Sequence, residues 1–114
     1  MRTLRISGLV VLAALMLPFA VILRSNATPA DVAKCDNGSS WYEGIGKDRD
    51  KGLKLHDALR AVQNMVLAKK VPTEMYEWLI YVVADVYANP QLKPTEMAVK
   101  YKRECYAHFG ITQI

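Results

Sequence analysis

Cysteine and histidine are scarce in this 114-residue chain, which has two of each. A structural zinc ion needs four protein ligands and a catalytic zinc ion needs three. The chain has no C-x-x-C or H-x-x-x-H motif, so it predicts no metal site and no other cofactor. His108 falls in an apolar stripe, where we expect a partly buried, hydrogen-bonded ring, and His56 is expected on a solvated flank.

Glycine and proline are also few, at six and five residues, which excludes a collagen-like or low-complexity chain. The hydrophobic fraction of 52% is too high for a disordered tail. A chain of this length forms one domain at most, without room for a two-domain enzyme or a large cofactor-binding fold.

Motifs for catalysis are missing as well. Nucleophilic catalysis needs a nucleophile with a base and an orienting group beside it. Cys105 stands three residues before His108, but a disulfide would remove its thiol. No glycine-rich phosphate loop follows a strand, because no strand is predicted. We therefore expect that the protein is not an enzyme.

The first 27 residues have the three parts of a secretory signal peptide. Arg2 and Arg5 form a positive start, an apolar run covers residues 9–23, and small residues at the −3 and −1 positions end at Ala27. Cleavage after Ala27 leaves a single domain of residues 28–114. We therefore expect a periplasmic or secreted protein.

The alternative is that the apolar segment is retained as an anchor in the inner membrane. Residues 6–23 form 18 positions without a charge, which only reaches the lower limit for a transmembrane helix. Pro18 inside this segment weakens the anchor. In this alternative, the chain is a membrane-anchored accessory subunit of an envelope complex.

Export changes the charge of the chain. The full sequence carries 15 Lys and Arg against 11 Asp and Glu. Arg2, Arg5 and Arg24 leave with the signal peptide and no acid leaves with them, which lowers the net charge from +4 to +1. Nucleic-acid binding needs a clustered excess of basic residues, so we expect no nucleic-acid partner.

Cys35 and Cys105 both fall in the exported part of the chain. In an oxidising compartment an even number of cysteines favours a disulfide. The two residues are too far apart in the sequence for a C-x-x-C redox pair. We therefore predict one structural disulfide between the segment after the signal and the last helix.

Hydrophobic spacing and capping residues predict four helices. They run from Ser40 to Asp50, from Leu55 to Lys69 and Lys70 before Pro72, from Thr73 to Ala88, and from Pro94 to Gly110. Ser40 and Glu43 fit a capping box, Thr73 fits an N-cap, and Gly110 with Ile111 fits a Schellman-type end. The predicted fold class is all-α, a small four-helix fold stapled by one disulfide after an N-terminal signal segment.

Surface aromatic and charged residues are the remaining candidates for a site. We select five for partner binding: Trp41, Tyr42, Arg49, Tyr76 and Tyr81. Exposed tyrosine and tryptophan are common anchors for protein partners, and the acids beside Arg49 would orient its side chain. The alternative is that the rings pack on neighbouring helices and that residues 47–51 form a solvated helix end with weak ion pairs.

Two short stretches carry a resemblance, Arg49-Asp50-Lys51-Gly52 and Val86-Tyr87-Ala88-Asn89-Pro90. With the signal and the paired cysteines, they resemble small, uncharacterised exported helical proteins of proteobacteria over about residues 35–110. In size and layout the chain is also similar to HdeA-type periplasmic chaperones and to helical immunity proteins that neutralise secreted toxins. These resemblances imply a protein partner of unknown identity and identify no site residues.

Overall fold

The computed structural model describes residues 27–112, which form four α-helices and one short 3₁₀ helix, with no strand in that range. The helices are α1 (Pro29–Asp50), α2 (Leu55–Leu67), α3 (Tyr76–Ala88) and α4 (Pro94–Phe109), and the 3₁₀ helix at Thr73–Met75 precedes α3. The predicted all-α, four-helix class is confirmed for these residues. The predicted signal peptide of residues 1–27, apart from its last residue Ala27, and the alternative anchor of residues 6–23 lie outside the described residues.

Helix α1 begins eleven residues earlier than the sequence predicted, at Pro29 rather than Ser40. Thr28 is the N-cap: its Oγ1 accepts a hydrogen bond from the Asp31 N–H at 3.2 Å, and its own N–H donates to the Asp31 carboxylate at 3.1 Å. Ser40 lies inside the helix and donates to the Asp36 carbonyl at 3.2 Å. The prediction of a capping box at Ser40 was therefore wrong, because the same kind of motif stands at Thr28.

Two buried glycines of α1 allow α4 to approach closely. A Cβ atom at Gly38 would lie 2.5 Å from the Tyr101 ring, and one at Gly46 would lie 3.0 Å from Pro94. Glycine lowers helix propensity, which weakens the prediction of a helix in this part of the sequence. Close packing between the helices overrides that local preference.

Helix α3 is the centre of the fold. Leu79, Val82, Val83 and Val86 are fully buried, and they pack against residues of α1 and α2 in one core. The β-branched residues in this stretch also suit a strand, but an apolar face this wide is typical of a central helix. Helices α1 and α4 pack along each other, and α2 packs mainly on α3.

The predicted disulfide is present and joins α1 to α4. The Cα atoms of Cys35 and Cys105 lie 5.7 Å apart, and Cys35 is fully buried. Next to it, the Tyr106 hydroxyl donates to the Asp36 carboxylate at 2.9 Å, and Lys102 lies 3.4 Å from the same carboxylate. The two helices are therefore linked by a covalent bond with polar contacts beside it.

The lysines predicted in the last turn of α2 lie beyond its end at Leu67. Lys69 has a φ of +60°, in the left-handed region. Its N–H donates to the Val66 carbonyl at 3.0 Å, and the Lys70 N–H donates to the Met65 carbonyl at 2.9 Å. This is a Schellman motif with lysine at the position that usually holds glycine.

Of the two remaining predictions about helix ends, the one for the start of α3 was wrong and the one for the end of α4 was correct. Thr73 is not the N-cap of α3, since Thr73–Met75 forms the 3₁₀ helix and the cap of that turn is Pro72. At the other end of the chain, Gly110 has a φ of +74°, and the Ile111 N–H donates to the Tyr106 carbonyl at 2.8 Å. The predicted Schellman-type end of α4 is confirmed.

Candidate functional site: an aromatic groove between α3 and α4

A groove of about 530 Å³ lies between α3 and α4, because both helices pack on α1 and scarcely on each other. We define the aromatic groove by five of its lining residues: Tyr42, Trp78, Tyr81, Asp85 and Tyr101. Tyr42 comes from α1, Tyr101 comes from α4, and the other three come from α3. Three separate helices therefore build this surface.

The floor of the groove is a pair of stacked rings. Tyr42 and Tyr101 stack with centroids 4.9 Å apart, and Trp78 meets Tyr101 edge to face at 6.0 Å. The stack is possible because Gly38 leaves room for the Tyr101 ring. Close packing of α1 against α4 thus sets the position of the floor.

The rim of the groove is exposed aromatic surface. Tyr81 is 62% exposed and is one of the few large hydrophobic side chains on the surface of the described residues. Trp78, half-buried, also lines a second depression of about 610 Å³, together with Trp41 and Met75. The two depressions share Trp78 and Tyr101, and we call them together the aromatic surface.

A hydrogen bond joins the floor to the wall of the groove. The Tyr42 hydroxyl donates to the Asp85 carboxylate at 2.8 Å, and the Asn89 side-chain amide donates to the same carboxylate at 3.1 Å. Burial, followed by this hydrogen bond and the charge of Asp85, raises the pKa of Tyr42 far above its usual range. Burial also raises the pKa of Tyr101, so both floor hydroxyls keep their protons to a higher pH than an exposed tyrosine does.

The fold places the predicted partner-binding residues on different surfaces of the protein. Tyr81 and Tyr42 both line the groove, but Tyr42 is only 4% exposed and contributes to the core. Trp41 lines the adjoining depression. Tyr76 faces a third depression, formed with α2, which contains His56. The structure thus leaves Tyr81 and Trp41 on the aromatic surface and removes Tyr42 from the set of surface anchors.

Arg49 is an internal support rather than a surface residue. Its guanidinium donates to the carbonyls of Val86 at 2.8 Å, Asn89 at 3.1 Å and Leu92 at 2.8 Å. Only 9% of its side chain is exposed, and Asp50 pairs with it at 2.9 Å. Arg49 satisfies the carbonyls at the end of α3 and in the following loop, so it is not available to a partner.

The sequence predicted the exposure of His56 correctly and that of His108 wrongly. His108 is exposed, and its ring meets the edge of Phe109 at 5.0 Å, so the prediction of a partly buried ring was wrong. His108 lies at the open groove between α3 and α4, and Tyr106 is the side chain of this turn that is buried. His56 is exposed, as predicted, with its Nε2 2.7 Å from Arg60.

Sequence reasoning missed the importance of Trp78, Asp85 and Tyr101. None of these three residues was among the five selected for partner binding. One signal was available: Asp85 is the only charged residue in the apolar stretch 78–92. Its contact with Tyr42 joins residues 43 positions apart, and no local pattern predicts such a pair.

Within residues 27–112, no group of three or more His, Cys, Asp or Glu side chains is placed to hold a metal ion. None of the helices in this range combines the length and apolar character needed to cross a bilayer. Comparisons with models of known families, with curated proteins and with solved structures found no match to the chain.

Proposed function

We propose that this chain is a non-enzymatic exported protein of the periplasm that acts by binding another protein through the aromatic groove. The disulfide is compatible with an oxidising compartment outside the cytoplasm. Thr28 caps the first helix, so cleavage after Ala27 would leave the folded domain intact. Intact-mass measurement of the exported protein tests this cleavage, and a species that retains Met1 contradicts it.

The observation that carries the proposal is the exposure of aromatic surface beside a concave site. Tyr81 is 62% exposed although the core has buried aliphatic residues throughout α3. Aromatic rings offer a large contact area at a small entropic cost, and they are enriched among the residues that dominate binding energy. A groove with a fixed floor and an exposed tyrosine at its rim suits a protein partner.

The test compares proteins that co-purify with three forms of the tagged, exported chain: wild type, Tyr81→Ala and Asn64→Ala. Asn64 is exposed on α2 and lies outside the aromatic surface. We expect a partner that is enriched with wild type and Asn64→Ala and is at least tenfold depleted with Tyr81→Ala, as for a buried aromatic anchor. An identical set of proteins with all three forms contradicts the proposal.

The same experiment separates the two kinds of binding that the resemblances imply. A single partner at one-to-one stoichiometry supports an inhibitor or immunity protein. Many partners that are captured only after their own denaturation support a chaperone-like protein. Quantitative mass spectrometry of the eluates with and without acid treatment of the extract distinguishes these outcomes.

A further inference from the structure

The α3 segment beside the aromatic groove carries only negative charges. Residues 71–92, which contain the 3₁₀ helix and α3, include Glu74, Glu77 and Asp85 and have no Lys, Arg or His. Of these acids, Asp85 lines the groove, whereas Glu74 and Glu77 do not. The mature chain as a whole is almost neutral, so this is a local asymmetry. Exposed acids next to exposed rings favour a partner surface of the opposite charge.

Asp85 is the acid that faces the groove without a cation. Two carboxylates line the groove, and Glu104 pairs with Lys100 at 3.9 Å. Among residues 27–112, no Lys, Arg or His nitrogen lies within 4.0 Å of the Asp85 carboxylate. The other basic residues of the lining are Lys34, which lies 6.0 Å over the ring of Phe109, and His108, whose ring centroid is 5.0 Å from that of Phe109.

The Asp85 carboxylate keeps capacity for a further ligand. An ionised carboxylate has about four acceptor positions, and the Tyr42 hydroxyl and the Asn89 amide occupy two of them. Both donors are neutral, so they leave the charge uncompensated. Because the side chain is half-buried, solvent compensates the charge less well than it would on an open surface.

The rings around Asp85 also favour a cation. Tryptophan and tyrosine attract ammonium and guanidinium groups over their faces, and Trp78 and Tyr81 line the same groove as the carboxylate. A basic side chain beside Asp85 therefore gains a charge-assisted hydrogen bond and contact with the rings. An apolar side chain gains only the second of these.

We infer that the aromatic groove binds an arginine or lysine side chain of the partner protein, with its cationic group at the Asp85 carboxylate beside Trp78 and Tyr81. This inference rests on the proposed function and adds the chemistry of the partner. The partner presents a basic residue on a protruding loop or helix, because the site is a groove rather than a flat surface.

The test uses the disulfide-bonded domain and two small probes, N-acetyl-arginine methylamide and its neutral isostere N-acetyl-citrulline methylamide. Two-dimensional NMR follows the Trp78 indole and the backbone amides of residues 81–85 during titration. We expect saturable shifts with arginine at millimolar concentration and about fivefold weaker binding of citrulline, which corresponds to about 1 kcal/mol. Equal binding of the two probes, or no saturable shift with arginine, overturns the inference.

A matched pair of variants locates the site. Asp85→Asn removes one negative charge in the groove, and Glu77→Gln removes one from the same helix outside it. We expect arginine binding to fall about fivefold in Asp85→Asn and to persist in Glu77→Gln. An equal loss in both variants contradicts a site at Asp85. Since the arginine and citrulline probes are compared on the unmodified domain, the inference stays testable if Asp85→Asn does not fold.

Failure of the inference is distinguishable from failure of the proposed function. If Tyr81→Ala abolishes capture of the partner while arginine and citrulline bind equally, the groove binds a protein without using a basic residue. If no partner depends on Tyr81, the proposed function itself is wrong.

Discussion

The α1–α4 pair and the α2–α3 pair are held together in different ways. The first pair has the disulfide, the close contact of Gly38 with Tyr101, and the hydrogen bond from Tyr106 to Asp36. The second pair relies on apolar packing, with Ala58 and Val62 buried against α3. The α1–α4 pair supplies the stacked floor of the aromatic groove. The stronger links in this pair therefore fix the relative position of the rings that form the floor.

Removing the disulfide tests whether the α1–α4 pair depends on its special links, and we expect it to change the free energy of unfolding more than any other variant described below. In the chain-entropy account, a loop of 70 residues contributes about 4 kcal/mol to the free energy of unfolding. We expect the Cys35→Ala/Cys105→Ala variant to lose about that much in urea unfolding. Hydrogen exchange should accelerate most in α1 and α4. A loss below about 1 kcal/mol, or equal acceleration in all helices, contradicts a special role for this pair.

Arg49 connects the two regions, since it reaches from α1 to the loop after α3. Arg49→Met keeps the apolar stem and removes every donor, which leaves three carbonyls without that partner. We expect a loss of about 2–3 kcal/mol in the free energy of unfolding, because hydrogen bonds to a charged, buried group are among the stronger ones. Arg60→Met, on the exposed face of α2, is the control and should change stability by less than about 0.5 kcal/mol. Similar losses in both variants would show that Arg49 has no special structural role.

Alkaline pH tests the tyrosines that link the helices. The pKa values of Tyr42, Tyr87, Tyr101 and Tyr106 are all raised above the usual 10.0 in the folded state. The folded state therefore keeps protons that the unfolded state releases, so stability is complete below pH 10 and falls progressively as the pH rises further. Urea unfolding between pH 8 and about pH 11 measures this slope.

Tyr42→Phe supplies the control for the pH experiment. It removes the hydroxyl whose pKa is raised most clearly and leaves the stacked ring in place. We expect the stability of this variant to fall less steeply above pH 10 than that of wild type. An unchanged slope means that Tyr42 does not contribute to the alkaline loss.

The smallest expected effect concerns the end of α2. Lys69→Gly relieves a left-handed backbone conformation that costs a non-glycine residue about 1 kcal/mol. Glycine also increases the entropy of the unfolded chain, so the expected net gain in the free energy of unfolding is about 0.5 kcal/mol. Lys70→Gly, where φ is not positive, should give no gain. An equal gain in both variants would exclude relief of strain as the cause.

Local patterns were sufficient to predict much of the fold. The ends of α4 and the apolar face of α3 follow from propensity and spacing. The start of α1 was mispredicted because Ser40 and Glu43 fit a capping box although they lie inside the helix. The reason that Gly38 and Gly46 are tolerated is contact with α4, which is a tertiary property that a local pattern does not contain.

The candidate site was less accessible to sequence reasoning. Tyr81 was selected, and its exposure agrees with a surface role. Tyr42 and Arg49 were selected with it, but they turn inward because distant partners, Asp85 and the loop after α3, satisfy their polar groups. Periodicity assigns residues to a face of a helix. It does not say which faces meet, and the groove exists because α3 and α4 leave a gap.

Site-specific photocrosslinking at the rim of the groove tests the central claim most directly. A photoreactive phenylalanine analogue replaces Tyr81 in one sample and Asn64 in the other, and the exported chain is irradiated in intact cells. The account predicts a crosslinked product of defined mass from position 81 and none from position 64. The same product from both positions, or from position 64 only, would contradict binding through the aromatic groove.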